Sequence, residues 1–302
     1  MHPLLQRLGF DADDRVVIIH PDDIGMCQAT LPAYRDLLAF GLISSATTMV
    51  PCPWFPAVAA FCRDHPSVDM GVHLTLASEW DVYRWGPIST HDPASGLLDA
   101  EGYFHHWPRE VWANADLAAI EREIAAQLDR ALGAGIDVTH LDAHMDTLVH
   151  PRLLPAYIAL AQRYQLPFLA VGLEERFEED GDAEVAAAAA RMSRELLDQH
   201  VLLFADLRMP PLDESKDRVN VCKQIIDTLV PGLTLLRIHP AQDTLELRAM
   251  APDWRSRVAD YEAFLSEELR DDVRRSGVHV IGYRALRDAL RAEPSATQAE
   301  LW

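Results

Sequence analysis

Two adjacent aspartates, Asp22 and Asp23, follow directly on the apolar run at residues 15–20. Neighbouring carboxylates repel each other unless a cation or a proton relieves the charge. Three further stretches end on imidazoles or acids: His73 within GVHLTL; His140, Asp142 and His144 within VTHLDAH, with Asp146 just beyond; and His239 closing LTLLRIH. One carboxylate with two histidines is a familiar ligand set for a catalytic divalent ion that keeps positions open for water and substrate. Such an ion lowers the pKa of bound water to roughly 7. A second carboxylate is then free to act as general base, and a histidine across the site can protonate a leaving group.

These residues can meet only if the elements carrying them converge. Short apolar runs alternate with helical patterns along most of the 302 residues. Strands are expected at residues 15–20, 44–50, 69–76, 137–143, 167–171, 201–207, 233–239 and 277–281, with helices between them. A turn at 21–25 leads to a helix at 27–40 that Gly41 can stop. Asn114 is expected to cap a helix running to Leu132, and Pro151 to open another. The alternation predicts an α/β fold: a single-domain (β/α) barrel of seven or eight parallel strands, TIM-like or distorted, over residues 1–292. In such a barrel the carboxyl ends of the strands share one face, where active sites are built. An aromatic-rich insertion at about 77–113 breaks the rhythm, and residues 293–302 read as a tail.

The net charge of −20 argues against a nucleic-acid or anionic-membrane partner and disfavours polyanionic substrates. The four cysteines have no C-x-x-C spacing, so neither a thiolate zinc site nor a redox pair is expected. With no basic-then-apolar leader and no apolar run long enough to span a bilayer, the chain reads as cytoplasmic.

HPDDIG, GVHLTL, HLDAH and the late RIHP occur in an order that resembles the YdjC-type carbohydrate deacetylases, distantly similar to the NodB-type polysaccharide deacetylases. The resemblance spans Val16 to about Tyr283. It implies a metal-dependent hydrolase that removes an acetyl group from an N-acetylated amino sugar or short chito-oligosaccharide, with one divalent ion, zinc or magnesium, and a homodimer. Position by position it implies Asp22 as catalytic base, Asp23, His73 and His144 as metal ligands, and His239 as general acid. Two positions depart from the pattern. Ile24 replaces an aromatic residue, which should alter packing more than chemistry. Asp146 stands where a further histidine is common, adding negative charge near the ion or a partner for a sugar hydroxyl.

His140 and Asp142 are expected to support the ligands or lie beneath the site, and Trp80 and Trp85 to offer sugar platforms or pack an inserted lid. His20, His65, His91, His105 and His106 read as surface or loop residues. Two other functions fit the same residues: a metal hydrolase of an O-acetyl ester or another small amide, and a silent sugar-binding module.

Overall fold

The computed structural model describes residues 2–169, 183–198 and 202–292. It is an α/β fold whose strands pair in parallel. Strands β1 (Arg15–Pro21), β5 (Asp206–Arg208), β6 (Gly232–Ile238) and β7 (His279–Val280) form one sheet in the order β5-β6-β1-β7. Strands β2 (Ala46–Thr48), β3 (Met70–Leu74) and β4 (Val138–Ala143) form a second, in the order β2-β3-β4.

β1 is buried along nearly its whole length, as expected of a parallel strand covered on both faces. Its side chains alternate between two apolar clusters. Val16 and Ile18 pack with Leu233, Leu235 and Tyr283, whereas Val17 and Ile19 join the larger core. Extending that period of two places His20 on the Val16 and Ile18 face. The register sets Arg237 of β6 opposite His20, and Asp142 of β4 opposite His73 of β3. Side chains from the two sheets then meet: His20 lies 2.8 Å from His140, and Arg237 lies 3.3 Å from Asp142. Where the sheets adjoin, Ser44 links them, its amide donating to the Ile19 carbonyl and its hydroxyl accepting from the Ile19 amide.

Several predicted elements are shorter than their sequence patterns. The hydrogen-bond ladders make two sheets rather than one ring. Of the strand expected at 167–171, Phe168 forms a single bridge to Leu141, and residues 170 and 171 lie outside the described residues. The strand at 277–281 is reduced to His279–Val280, paired only with Val16 and Val17. The tail at 293–302 lies outside the described residues. The long helix runs Leu117–Gly133 and is capped by Asp116, which accepts from the Ala119 amide. Asn114 instead ends a separate short helix, Pro108–Asn114. Pro155, not Pro151, occupies the first turn of the helix Leu154–Tyr164.

The helix Leu117–Gly133 buries the expected apolar face but also two polar residues, Glu123 and Gln127. Gln127 accepts from the Thr75 amide at 2.9 Å and donates to its carbonyl at 2.7 Å, closing the backbone just beyond His73. Glu123 accepts from the amides of Ile88 and Ser89, tying the aromatic insertion to the same helix. No helix among the described residues is long and apolar enough to cross a membrane. Gln127→Leu would strand both backbone groups of Thr75 in an apolar interior. It should lower unfolding stability by about 2–4 kcal/mol in urea titration, an unchanged midpoint contradicting this account.

Candidate metal centre

The turn after β1 aims the two aspartates in different directions. Asp23 adopts a left-handed backbone conformation, φ 62°, which is uncommon for a side-chain-bearing residue and tolerated best by Asp and Asn. Gly25 follows at φ 88°, where a Cβ would fall 2.9 Å from Val58 Cγ2. Asp23 thereby faces His73, at the end of β3, and His144, which begins the short turn after β4. Its Oδ1 lies 3.4 Å from His73 Nε2 and 3.2 Å from His144 Nδ1.

One ligand atom from each of Asp23, His73 and His144 falls within 4.8 Å of the others, and all three residues are buried. Among the described residues, the buried Asp23 Oδ1 has no hydrogen-bond partner. Its other oxygen is held by Arg257 at 2.8 Å. An orphaned carboxylate oxygen facing two imidazoles fits a divalent cation well, because buried polar atoms are otherwise nearly always paired. Burial would raise the Asp23 carboxyl, but Arg257, His144 and His73 hold it well below the usual carboxylate range.

Each imidazole is backed by a carboxylate. His73 Nδ1 lies 3.6 Å from Asp142, and His144 Nε2 lies 2.9 Å from Glu79. Such outer partners fix ring orientation and raise ligand basicity. Burial lowers His144, yet Glu79 and Asp23 together lift it to about 10. Burial likewise opposes His73, which Asp22, Asp23 and Asp142 raise.

Asp22 sits beside this cluster. Its Oδ1 is bound by His20 at 2.6 Å and by Thr47 at 3.4 Å. Its Oδ2 lies 2.8 Å from Arg237, 3.8 Å from His73 and 4.0 Å from His239. Burial works against the ionised form, but Arg237, His73 and His20 keep Asp22 charged far below the ordinary carboxylate range. His239 follows β6 directly, and its backbone amide donates to Asp260. Its buried Nδ1 has no hydrogen-bond partner among the described residues. Burial pushes His239 down to about 4, so the ring rests neutral near pH 7. Arg257 and Asp260 lie three residues apart on the helix Trp254–Phe264 and therefore share a face, from which they hold Asp23 and the His239 backbone respectively.

Asp146 meets Arg237 through both carboxylate oxygens, at 3.0 and 3.1 Å. Arg237 thus lies among Asp22, Asp142 and Asp146. His20, Asp22 and Asp142 also lie close enough together to hold a cation, but Arg237 already supplies positive charge to both carboxylates. Trp80 and Trp85 are only 6% and 3% exposed, so neither offers a free face to a sugar. Trp80 lies beneath Arg257, and Trp85 meets His144 edge-on. Ile24 is buried in the apolar core, in keeping with a packing role.

Sequence reasoning missed four partners. His20 is fully buried against Asp22, contrary to its reading as a surface or loop residue. Its place two residues before Asp22 on a period-two strand was the available signal, and Arg237, two before His239, carried the same one. Glu79 and Arg257 lie on a loop and a distant helix, and nothing local marks them.

A parallel α/β fold with two histidines and an aspartate converging beside a further aspartate defines a candidate divalent-metal hydrolase scaffold. The chain belongs to the YdjC-like protein family, whose model matches residues 16–275. It is 34% identical over 288 residues to a carbohydrate deacetylase of Thermus thermophilus, covering 95% of this chain and 99% of that one. A carbohydrate deacetylase of Geobacillus stearothermophilus is 28% identical over 273 residues, covering 89% and 97%. A crystal structure from Enterococcus faecalis V583, described as a candidate cellobiose-phosphate cleavage protein, superposes with a TM-score of 0.72 at 20% identity. It covers 90% of this chain and 99% of that one, and shares the fold.

If Glu79 orients His144, Glu79→Ala should weaken divalent-metal affinity about 10–100-fold. Calorimetric titration of the metal-free protein measures this, and unchanged affinity would remove Glu79 from the centre.

Proposed function

We propose that this chain is a metal-dependent carbohydrate deacetylase that hydrolyses the N-acetyl group of an amino sugar or short chito-oligosaccharide. The observation that carries the reading is the convergence of Asp23, His73 and His144 on one point, with Asp22 Oδ2 beside it. We read the two parallel sheets as arcs of a distorted barrel whose strand ends surround that point.

Asp23, His73 and His144 would hold one divalent ion, zinc or magnesium. When bound, the ion would polarise the acetamide carbonyl and acidify water. Asp22 then has the position and charge of a general base: His20 and Thr47 occupy Oδ1, leaving Oδ2 turned toward the ligand cluster. Arg237 beside Oδ2 keeps it ionised and fixes its direction. A proton leaves the attacking water for Asp22, and one must reach the departing amine. His239, 4.0 Å from Asp22 Oδ2, is placed to deliver it. Because its ring rests neutral, it gains the proton it delivers during turnover rather than carrying it beforehand. Asp260, bound to the His239 backbone amide, holds that segment in place.

The relatives' name supports a carbohydrate substrate, and the strong negative charge supports a neutral or cationic one. Arg237 pairs with Asp146, so the departure at position 146 is neutralised inside the protein and is not a bare acid facing the substrate.

Acetate release from N,N′-diacetylchitobiose, before and after chelation, tests the reading. Activity should vanish with chelator and return with added divalent metal. Asp22→Asn should keep its metal but lose turnover by about 10²–10⁴-fold, whereas His144→Ala should lose both. Full activity in Asp22→Asn would end the base assignment. An O-acetylated sugar assayed in parallel separates amide from ester hydrolysis, and acetate from the ester alone would overturn the amide reading.

A further inference from the structure

Behind Asp22 runs a line of buried polar side chains that metal binding does not require. His20 Nδ1 lies 2.6 Å from Asp22 Oδ1, and His20 Nε2 lies 2.8 Å from His140 Nε2. His140 Nδ1 lies 2.9 Å from the Thr139 hydroxyl, which also contacts Asp69. Asp69 in turn accepts from the Ser45 hydroxyl at 3.0 Å and the Arg284 amide at 2.7 Å. Both imidazoles are fully buried.

The molecule makes room for this line at some cost. His140 stacks on Tyr283 at 3.7 Å with the rings 8° from parallel. On its other side is Gly71, where a Cβ would fall 2.5 Å from the His140 ring. The pairing of β3 with β4 shifts register at that same point. Two histidines set Nε2 to Nε2 in an apolar interior form an unfavourable pair unless each remaining nitrogen is satisfied. Here both are: His20 by Asp22 and His140 by Thr139.

Hydrogen-bond logic sets the roles. Two nitrogens 2.8 Å apart share one hydrogen. The charged Asp22 Oδ1 can only accept, so His20 presents Nδ1–H to it. The Thr139 hydroxyl gives its one hydrogen to Asp69, so its oxygen accepts from His140 Nδ1–H; a neutral His140 then has a bare Nε2, which accepts from His20 Nε2–H. Burial holds His140 far below the ordinary imidazole range, in keeping with a neutral ring in this line.

We propose that His20 and His140 are positioning residues for the reaction: joined Nε2 to Nε2 and anchored on Thr139, they fix Asp22 through Oδ1 so that Oδ2 alone faces the reacting water. This rests on the deacetylase reading, in which Asp22 is the base. Neither imidazole touches substrate. Their effect is on the direction of the carboxylate, and a misplacement of about 1 Å at a reacting group can lower turnover about 10²-fold.

The test joins kinetics with a spectroscopic readout on the full chain. Asparagine at position 20 keeps a donor near the place of Nδ1 but cannot reach His140, whereas alanine keeps neither. His20→Ala should lower kcat on diacetylchitobiose about 10²-fold. Its KM and bound divalent metal should stay within about twofold of wild type, and His20→Asn, which restores the donor to Asp22 but not the link to His140, should recover only part of the lost kcat. In 15N–1H spectra of the unmodified protein, His20 should carry protons on both Nδ1 and Nε2 and His140 on Nδ1, with the His20 signal absent from both variants. Wild-type kcat in His20→Ala overturns the proposal. So does a joint loss of kcat, KM and metal that asparagine does not repair, or a His20 ring protonated on Nε2 only. If His20→Ala fails to fold, the His20→Asn kinetics and the spectrum of the unmodified protein decide. Absence of acetate release by wild type would overturn the deacetylase reading and this proposal together, whereas wild-type turnover with an undiminished His20→Ala enzyme overturns this one alone.

Discussion

The division of Asp23 between two kinds of partner is the interaction on which the rest of the site depends. Arg257 holds one oxygen, and the other is turned toward His73 and His144, with no hydrogen bond among the described residues. A buried carboxylate is costly unless it is paired and hydrogen-bonded. Half of Asp23 meets that condition within the protein; the other half faces two imidazoles with which it could hold a cation. Asp22, Asp23, Asp142, Asp146 and Glu79 crowd the same region, faced by Arg237 and Arg257. The carboxylates outnumber the guanidiniums, which leaves room for the positive charge that His73 and His144, or a metal ion held by them, would supply.

Two different supports hold the paired aspartates. Asp23 is set by a left-handed turn and a guanidinium from the helix Trp254–Phe264, so its position depends on the docking of a remote element. Asp22 is set from behind by residues of the strands themselves, His20 on β1 and His140 on β4, and by Thr47 on β2. The site is therefore partly a property of the sheets and partly of the packing around them. Gln127 and Glu123 perform a similar task on the outer side, where one helix closes the backbone after β3 and gathers the aromatic insertion.

Asp146 illustrates how a local departure is absorbed. Read alone, a carboxylate in place of a histidine suggests an altered substrate site. In the fold it forms a two-point ion pair with Arg237, the same guanidinium that faces Asp22. Asp146 therefore bears on Asp22, the proposed base, through a shared guanidinium. Trp80 and Trp85 follow the same lesson: residues with the shape of sugar platforms are enclosed, one under Arg257 and the other against His144.

The chain's own order of residues determined which side chains could do the chemistry and that strand ends would carry them. Asp22, Asp23, His144 and His239 stand at or just past the end of an apolar run and His73 lies inside one, a pattern visible because parallel strands buried on both faces leave a continuous apolar signature. Period-two spacing also placed His20 and Arg237 on the site's face, although the apolar run concealed that signal. Tertiary structure alone decided the partners that come from far along the chain: Arg257 on Asp23, Glu79 on His144, Arg237 on Asp146, and the pairing of His20 with His140. Those contacts depend on how helices and loops dock onto the sheets. Local propensity carries no record of which distant side chain will arrive to balance a buried charge.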